Sequence, residues 1–275
     1  MSLRTTDSET LVTTVRERYG QIASTPGAGC GCGCGCNSTD MARGLGYADE
    51  SLATVPAESA GMSLGCGAPI AHLALQPGET VLDLGSGGGL DAFMAAREVG
   101  PEGRVIGVDM TPEMLERARA AAERGGFEQV EFREGRLEAL PVDDASVDAV
   151  TSNCVINLVP DKPAVFREVA RVLKPGGRLV ISDIVLAAPL PESLADDLYA
   201  YVGCVSGAEL AVDYFEQLRA AGLTEVEVIA DVDYLETVAA AATAEVQELL
   251  SRAGVTLAEI RGKVRSITYR ARRTA

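Results

Sequence analysis

The sequence predicts an α/β protein built on a doubly wound, mostly parallel sheet of seven strands. Short apolar segments alternate with helix-like segments from Glu79 onward, which is the pattern of repeated βαβ units. A glycine-rich turn, GSGGG at 85–89, follows the first apolar segment and precedes the first helix. Ligands of such sheets bind beyond the carboxyl ends of the strands, so we expect the functional residues there.

Apolar segments bounded by turn residues predict the parallel strands. They are TVLDLG (80–85), RVIGVD (104–109), QVEFREG (129–135), VDAVTSNCV (147–155) and RLVISDIV (178–185). The segments between them predict helices: LDAFMAAREVG (90–100), TPEMLERARAAAERGG (111–126) and DKPAVFREVARVLKPGG (161–177). The last two have threonine or aspartate near the start and glycine at the end, which are common helix boundary signals.

The region after Val185 follows a different pattern. Helices are predicted over 191–205, 211–223 and 236–254, and strands over EVEVIADVDY (225–234) and VRSITYRARR (264–273). Because the last segment is basic, we expect it to be a solvated edge strand. The chain therefore divides into an N-terminal helix with a flexible Gly/Cys-rich arm (1–60), a core (61–190) and a small α+β C-terminal region (191–275).

Composition excludes several classes of function. The chain has 275 residues, 47% of them hydrophobic, which suffices for a globular core. Its 40 acidic and 24 basic residues give a formal net charge of −16, which repels nucleic acid and anionic membrane surfaces. No apolar run approaches the roughly 20 residues of a membrane-spanning helix, and the N-terminus lacks the apolar core of a signal peptide. We predict a cytoplasmic protein with neither nucleic acid nor membrane as a partner.

Seven cysteines and a single histidine, His72, set the possible chemistry. In a reducing cytoplasm, cysteines act as ligands, nucleophiles or redox thiols rather than as a disulfide framework. With one histidine, mixed Cys/His zinc sites and a Cys–His hydrolytic dyad are not expected. Four cysteines alternate with glycine in a low-complexity tract, AGCGCGCGCNSTD at 28–40: Cys30, Cys32, Cys34 and Cys36.

The other three cysteines are scattered along the chain. Cys66 in SLGCGAP precedes the first strand, Cys154 in SNCVINL lies at the end of the fourth, and Cys204 in YVGCVSGA follows the fifth. A free cysteine is commonly just a small buried apolar residue. Three cysteines that flank a glycine or a strand end are nevertheless predicted to converge on one rim of the sheet.

The glycine-rich turn has the form D-x-G-x-G-x-G, with Asp83, Gly85, Gly87 and Gly89. Glycines permit a tight turn and let a ligand approach the backbone. Asp109 ends the second strand 26 positions after Asp83, where a carboxylate can accept both hydroxyls of a ribose. Enzymes that use NAD share these features, so they predict a nucleotide site without identifying the nucleotide.

Two further segments identify the nucleotide by resemblance. EGRLEALPVDDASVDAVTSN (134–153) and REVARVLKPGGRLVISD (167–183) resemble, in this order, the S-adenosylmethionine-dependent methyltransferases of the Rossmann-like class. The resemblance covers about 61–190 and implies that this core binds S-adenosylmethionine.

The same resemblance implies which residues hold the cofactor. Asp83 and the glycine turn would lie against its methionine part, Asp109 would hold the ribose, and Met110 would lie beside the adenine. Many members of the class have aspartate at the position of Arg136. Glu138 is therefore expected to be the adenine-facing carboxylate, with a plain solvated residue as the alternative. The implied set is Asp83, Gly85, Ser86, Gly87, Asp109, Met110, Leu137, Glu138 and Asn153.

Motifs around the scattered cysteines narrow the resemblance further. VRERYGQIA, GCGAP, VLDLGSGGGLDAF, GVDMTPEML, SNCVINL, KPGGRLVISDIV and YVGCVSGA resemble the arsenite methyltransferases, as far as about Gly222. This resemblance implies that Cys66, Cys154 and Cys204 hold trivalent arsenic, as soft thiolates do. It implies an enzyme that methylates arsenite and methylarsenite, helped by an external thiol reductant of the thioredoxin or glutathione type, with no bound catalytic metal.

Members of that family carry additional N-terminal cysteines. The tract from Cys30 to Cys36 is therefore predicted to capture arsenite or to donate electrons during turnover. A zinc site or a tail without function are the alternatives for the tract, although C-x-C-x-C-x-C is tighter than usual zinc spacings. For the whole protein, the alternatives are methylation of carbon, oxygen or nitrogen in a small metabolite, and a non-catalytic thiol protein that binds metalloids or metals.

Overall fold

The computed structural model describes residues 3–25, 42–234 and 244–274. The cysteines of the glycine tract lie outside these residues. The strands are β1 Thr80–Leu84, β2 Arg104–Asp109, β3 Val130–Glu134, β4 Val147–Asn153, β5 Leu173–Leu186, β6 Leu223–Asp233 and β7 Val264–Arg273. They form one seven-stranded sheet in the order β3-β2-β1-β4-β5-β7-β6.

The sheet is parallel from β3 to β5, and β7 runs antiparallel to both of its neighbours, β5 and β6. This confirms the predicted doubly wound, mostly parallel, seven-stranded sheet. The strand order reverses between β1 and β4, and ligands of doubly wound sheets bind at such a switch point.

Helices cover both faces of the sheet. Those described in full are α1 Ser8–Ser24, α2 Asp49–Leu52, α3 Ala57–Ala60, α4 Leu90–Val99, α5 Pro112–Gly125, α6 Lys162–Val172, α7 Glu192–Ala195, α8 Leu198–Val202, α9 Ala211–Ala220, α10 Ala244–Ala253 and α11 Leu257–Ile260. In these parts of the chain, no helix is long and apolar enough to cross a bilayer.

Two apolar layers hold the sheet between these helices. Phe93 of α4 and Leu115 of α5 are buried in one layer, and Phe166 of α6 and Tyr214 of α9 are buried in the other. Each large apolar side chain contributes roughly 1.5–3 kcal/mol when it is fully buried. The strand ends therefore project from a well-packed platform.

Two predicted helices differ from the structure. The helix that starts near Lys162 ends at Val172 and does not reach residue 177, because buried Leu173 pairs with Val147 in the sheet. The helix predicted over 191–205 is broken into α7 and α8. Asp197 is extended and caps α8 by accepting a hydrogen bond from Ala200 N at 2.8 Å. Of the helix predicted over 236–254, residues 236–243 lie outside the described residues.

The prediction that 264–273 is a solvated edge strand is wrong. β7 lies inside the sheet between β5 and β6, and β6 is the edge. Ile267 and Tyr269 lie on the same face of β7 and are buried. Arg265 and Arg270 form ion pairs with acidic side chains of β6. The basic residues alone suggested exposure. The apolar residues between them and the acidic partners on β6 together explain the internal position.

Candidate active site

A cavity of about 1070 Å³, counted with its open mouth, lies beyond the carboxyl ends of β1, β2 and β4. Its floor is the glycine turn after β1, and its sides include Asp109, Leu137 and Cys154. Helix α1, whose contacts the sequence did not predict, covers it with Val15 and Tyr19. The cavity opens at the switch point of the sheet, where ligands of doubly wound folds bind.

The glycine turn leaves room for such a ligand. Gly85 and Gly87 have φ values of 65° and 49°, in the region that favours glycine. A Cβ on Gly87 would meet nothing within 4 Å, whereas one on Gly85 would lie 2.5 Å from Val155. Between them, the buried Ser86 Oγ has no hydrogen-bond partner among the described residues. The open space at Gly87 would let a ligand approach the backbone of the turn, while the Ser86 hydroxyl beside it is buried.

Asp109 lies at the end of β2 with its carboxylate anchored on the backbone. Its Oδ2 accepts a hydrogen bond from Gly87 N at 2.9 Å, and its Oδ1 accepts one from Thr111 N at 2.8 Å. Each oxygen retains a lone pair for a further donor. This carboxylate lines the cavity, and the sequence predicts that it accepts the hydroxyls of a ribose.

The cavity is also lined by several carboxyl groups. Burial raises the pKa of Asp83 well above its usual range, and the nearby carboxylates of Asp91 and Asp109 raise it further. The pKa of Asp91 is raised to about 6 by burial. The pKa of Asp109 is raised by burial and lowered in part by its backbone hydrogen bonds. A positively charged ligand group would relieve this repulsion. The residues therefore fit a nucleotide that carries positive charge.

Three cysteines lie beside this cavity and are buried and free: Cys66, Cys154 and Cys204. Cys154 directly follows β4, and Cys204 follows α8. The Cys204 thiol donates a hydrogen bond to the carbonyl oxygen of Cys154 at 3.0 Å. Both residues have positive φ, 60° and 63°, which is uncommon for residues other than glycine. Strained backbone of this kind clusters at functional sites.

Cys154 is the central thiol of the three. Hydrogen bonds with the thiols of Cys204 and Cys66, together with burial, raise its pKa well above the ordinary value. Burial also raises the pKa of Cys66. Within residues 3–25, 42–234 and 244–274, no group of three or more His, Cys, Asp or Glu side chains is arranged to hold a metal ion. The thiols are thus close neighbours, joined in pairs through Cys154, without forming a closed coordination shell.

Comparison with known proteins agrees with this combination of cavity and thiols. A family model described as a methyltransferase domain matches residues 75–254. The solved structure of an arsenic(III) S-adenosylmethionine methyltransferase from Chlamydomonas reinhardtii is 33% identical, with a TM-score of 0.66, over 82% of this chain and 72% of that one. This chain belongs to the arsenite methyltransferase family.

Two relatives named arsenite methyltransferase are closer in sequence. The protein of Halobacterium salinarum is 47% identical over 226 residues, which are 78% of this chain and 57% of the relative. That of Aquipseudomonas alcaligenes is 43% identical over 187 residues, 66% of this chain and 54% of the relative. The chain thus spans little more than half the length of these members of the arsenite methyltransferase family.

At the adenine side, this member of the arsenite methyltransferase family has an arginine where aspartate was the expected pattern. Arg136 donates to Glu138 at 3.0 Å and to Glu9 of α1 at 2.7 Å. Leu137 is buried, and the side chain of Glu138 is 17% exposed and lines the cavity. Arg136 therefore ties the covering helix to the rim at which adenine binding is predicted.

Tyrosines around the thiols were missed by the sequence reasoning. The pKa of Tyr19 is raised well above its usual value by burial and then by Cys204 and Cys154. That of Tyr234 is raised by burial and by Cys154, Cys66 and Cys204. Tyr19 belongs to VRERYGQIA, a motif of the family resemblance, which was the only signal for it. Both rings pack against the apolar cluster that contains the three thiols.

Of the predicted cofactor residues, Asn153 has contacts that a cofactor role does not require. It lines the cavity at the end of β4. Its side chain, however, bonds to the backbone around Cys66 rather than standing free. The remaining predicted residues, Asp83, Gly85, Ser86, Gly87, Asp109, Met110, Leu137 and Glu138, all line the same cavity.

Proposed function

We propose that this protein transfers methyl groups from S-adenosylmethionine to trivalent arsenic bound by Cys66, Cys154 and Cys204. The observation that carries the proposal is the position of three buried, free thiols beside an acidic cavity that the glycine turn and Asp109 line. A methyltransferase for carbon, oxygen or nitrogen has no need of such a cluster. The names of the relatives, which are arsenite methyltransferases, support the same substrate.

The protonation state of the thiols suits arsenite. Burial raises the pKa of Cys66, and hydrogen bonds with Cys204 and Cys66 together with burial raise that of Cys154, so both groups are neutral thiols at neutral pH. Arsenite, As(OH)₃, reacts with three thiols to form three As–S bonds and release three molecules of water. Each thiol proton leaves with one hydroxide, so no proton enters or leaves the solution. A divalent cation would instead require charged thiolates, which this buried site disfavours.

The cofactor cavity would orient the methyl donor. S-adenosylmethionine, when bound, supplies an electrophilic methyl group on a positively charged sulfur. Asp109 would hold its ribose, Ser86 and the glycine turn its methionine part, and Leu137 and Glu138 its adenine. The carboxylate of Asp83 would favour the cationic end through charge. Holding donor and acceptor in line accounts for most of the rate enhancement in such a reaction.

No general base is needed at the thiol site. Arsenic bound to sulfur keeps a lone pair that carries no proton, and this pair forms the new bond to carbon. The surroundings exclude water, because Val15, Leu158 and Ile184 are buried around the thiols. Tyr19 packs against the cluster that contains the thiols and also lines the cofactor cavity.

The electron balance requires two further electrons in each round. Methylation formally oxidises arsenic from the trivalent to the pentavalent state. Two thiolates can return it to the trivalent state by joining in a disulfide, which an external thiol reductant of the thioredoxin or glutathione type then reopens. We extend the proposal to Cys30, Cys32, Cys34 and Cys36, which would capture arsenite or take part in this exchange.

Product analysis tests the proposal. The protein is incubated with arsenite, S-adenosylmethionine and a thiol reductant, and the arsenic species are separated over time. We expect methylated arsenic that depends on all three additions. Binding of S-adenosylmethionine without methylated arsenic would instead favour a small-metabolite methyltransferase. Arsenite binding without turnover would favour a non-catalytic thiol protein.

A further inference from the structure

We propose that Asn153 is a positioning residue that holds Cys66 beside Cys154, so that both thiols can bind one arsenic atom. The inference rests on the proposed function and adds a residue to it. Cys66 and Cys154 come from distant parts of the chain, and Asn153 immediately precedes the second of them.

The side chain of Asn153 holds the backbone on both sides of Cys66. Its Oδ1 accepts a hydrogen bond from Cys66 N at 2.9 Å, and its Nδ2 donates to the carbonyl oxygen of Gly67 at 2.7 Å. Ser266 completes the attachment, because its Oγ donates to the carbonyl oxygen of Cys66 at 2.7 Å. These three hydrogen bonds form a clamp that fixes the position of the Cys66 backbone, from which its thiol projects.

Asn153, which forms the other end of the clamp, is itself held in the sheet. Asn153 is the last residue of β4 and pairs with Ser182 of β5. The next residue, Cys154, donates its backbone N–H to the carbonyl oxygen of Ser182 at 2.8 Å. One strand end thus positions the Cys154 backbone directly and the Cys66 backbone through an amide side chain.

Hydrogen-bond counting separates this role from cofactor binding. The Nδ2 of Asn153 has two protons, and they reach the carbonyl oxygen of Gly67 and, at 2.9 Å, the hydroxyl of Tyr47. That hydroxyl in turn donates to Asp91 at 2.8 Å. Both amide protons of Asn153 are therefore committed within the protein, and none is left for a ligand.

Gly65 supplies an independent observation. A Cβ at this position would lie 2.3 Å from Cγ and Oδ1 of Asn153 and 2.4 Å from Nδ2. Gly65 does not have positive φ, so alanine meets no torsional penalty there. A side chain at Gly65 would therefore collide with the Asn153 amide that reaches the Cys66 backbone.

The test compares two arsenicals on full-length protein in which Cys30, Cys32, Cys34 and Cys36 are serine. Arsenite can use three thiols, whereas phenylarsine oxide uses two and can bind to Cys154 and Cys204 alone. The variants are Asn153→Ala and Gly65→Ala, with Gly44→Ala as the control, because a Cβ on Gly44 meets nothing within 4 Å. Binding is measured without cofactor, and the As–S number is taken from arsenic K-edge absorption.

We expect both variants to lower the As–S number of bound arsenite from three to two. Their arsenite affinity should fall by about tenfold to hundredfold, as when one arm of a multivalent ligand is lost. Phenylarsine oxide affinity and S-adenosylmethionine affinity should each change by less than about threefold. A general loss of structure would weaken all three ligands together, and Gly44→Ala should change none of them. In the Asn153→Ala background, Gly65→Ala should have no additional effect, because both act through one contact.

Two results would overturn the inference. If either variant folds and keeps three As–S bonds with an unchanged ratio of the two affinities, Asn153 does not position Cys66. If Asn153→Ala weakens S-adenosylmethionine and not arsenite, the residue is a cofactor ligand. Failure of the parent protein to bind arsenite through three sulfurs would be a different result, since it removes the proposed arsenic site itself.

Discussion

The cofactor cavity and the thiol cluster adjoin each other but are built in opposite ways. The cavity floor comes from one short stretch, the glycine turn, and from Asp109 at the end of the neighbouring strand. The thiols come from three distant segments, and two of them have positive φ on non-glycine residues. Local backbone chemistry can form the first site, whereas the second exists only because long-range packing brings and holds its parts together. Substitutions should therefore separate the two functions.

The largest expected effect is at the central thiol. Cys154→Ser should lower arsenic methylation by at least about a hundredfold, because small losses of alignment between reacting groups already cost that much. Calorimetry should show S-adenosylmethionine binding unchanged within about threefold. An unchanged rate of methylation, measured by product separation, would contradict the assignment of Cys154 as an arsenic ligand.

The next largest effect is expected at Gly85, where the glycine turn of the cofactor cavity contacts Val155 beside the thiol cluster. Gly85→Ala places a Cβ about 2.5 Å from Val155, which follows Cys154, at a φ of 65°. We expect strain and overpacking together to lower the free energy of unfolding by about 2–4 kcal/mol. Gly78→Ala is the matched control, because its φ is 85° and nothing lies within 4 Å. In denaturant titrations, Gly78→Ala should lower the free energy of unfolding only by the torsional strain, about 1–2 kcal/mol.

The cofactor region alone should respond to Asp109→Asn. Losing the charge that faces a ribose should weaken S-adenosylmethionine binding by about tenfold to hundredfold, the equivalent of about 1.5–3 kcal/mol. Arsenite affinity without cofactor should stay within about twofold. Asp231→Asn, on the exposed edge strand, is the control and should alter neither. Equal loss of both affinities would show that the two regions are not separable.

A smaller effect is expected for the glycine-cysteine tract. Serine at Cys30, Cys32, Cys34 and Cys36 should slow turnover by roughly threefold to tenfold at low arsenite, because the tract raises the local supply of thiols. Cofactor binding should not change. If the native protein instead holds one zinc ion that this variant loses, the tract is a metal site rather than a relay.

The smallest expected effect is that of pH on arsenite affinity, which should hardly change. The raised pKa values of Cys66 and Cys154 mean that these thiols are protonated below about pH 8, and arsenite binding consumes no net proton. Arsenite affinity should change by less than about twofold between about pH 6.5 and 8.0. Zinc affinity should rise with pH over the same interval, because each thiol must lose its proton. An arsenite affinity that rises as steeply would indicate thiolates in the free protein.

The cofactor cavity and the thiol cluster differ in how much of each could be predicted from the sequence. The glycine turn, Asp109 and the five parallel strands were recognisable because each depends on residues close together in the chain. The position of α1 over the cavity could not be recognised in this way. The amphipathic pattern of a helix shows that one face is buried but does not show which part of the protein buries it. The role of Asn153 was equally hidden, because the same amide could serve a ligand or a distant backbone.

The sequence by itself determined the alternation of strands and helices, the glycine turn after the first strand and the presence of thiols, a residue type that can hold arsenic. These are properties of local propensity and of side-chain chemistry. Tertiary structure decided that β7 lies inside the sheet, that Tyr19 lines the cavity and that Cys154 is the central thiol. Such features depend on which distant segments satisfy one another's apolar surfaces, charges and hydrogen bonds, and that selection occurs only when the whole chain packs.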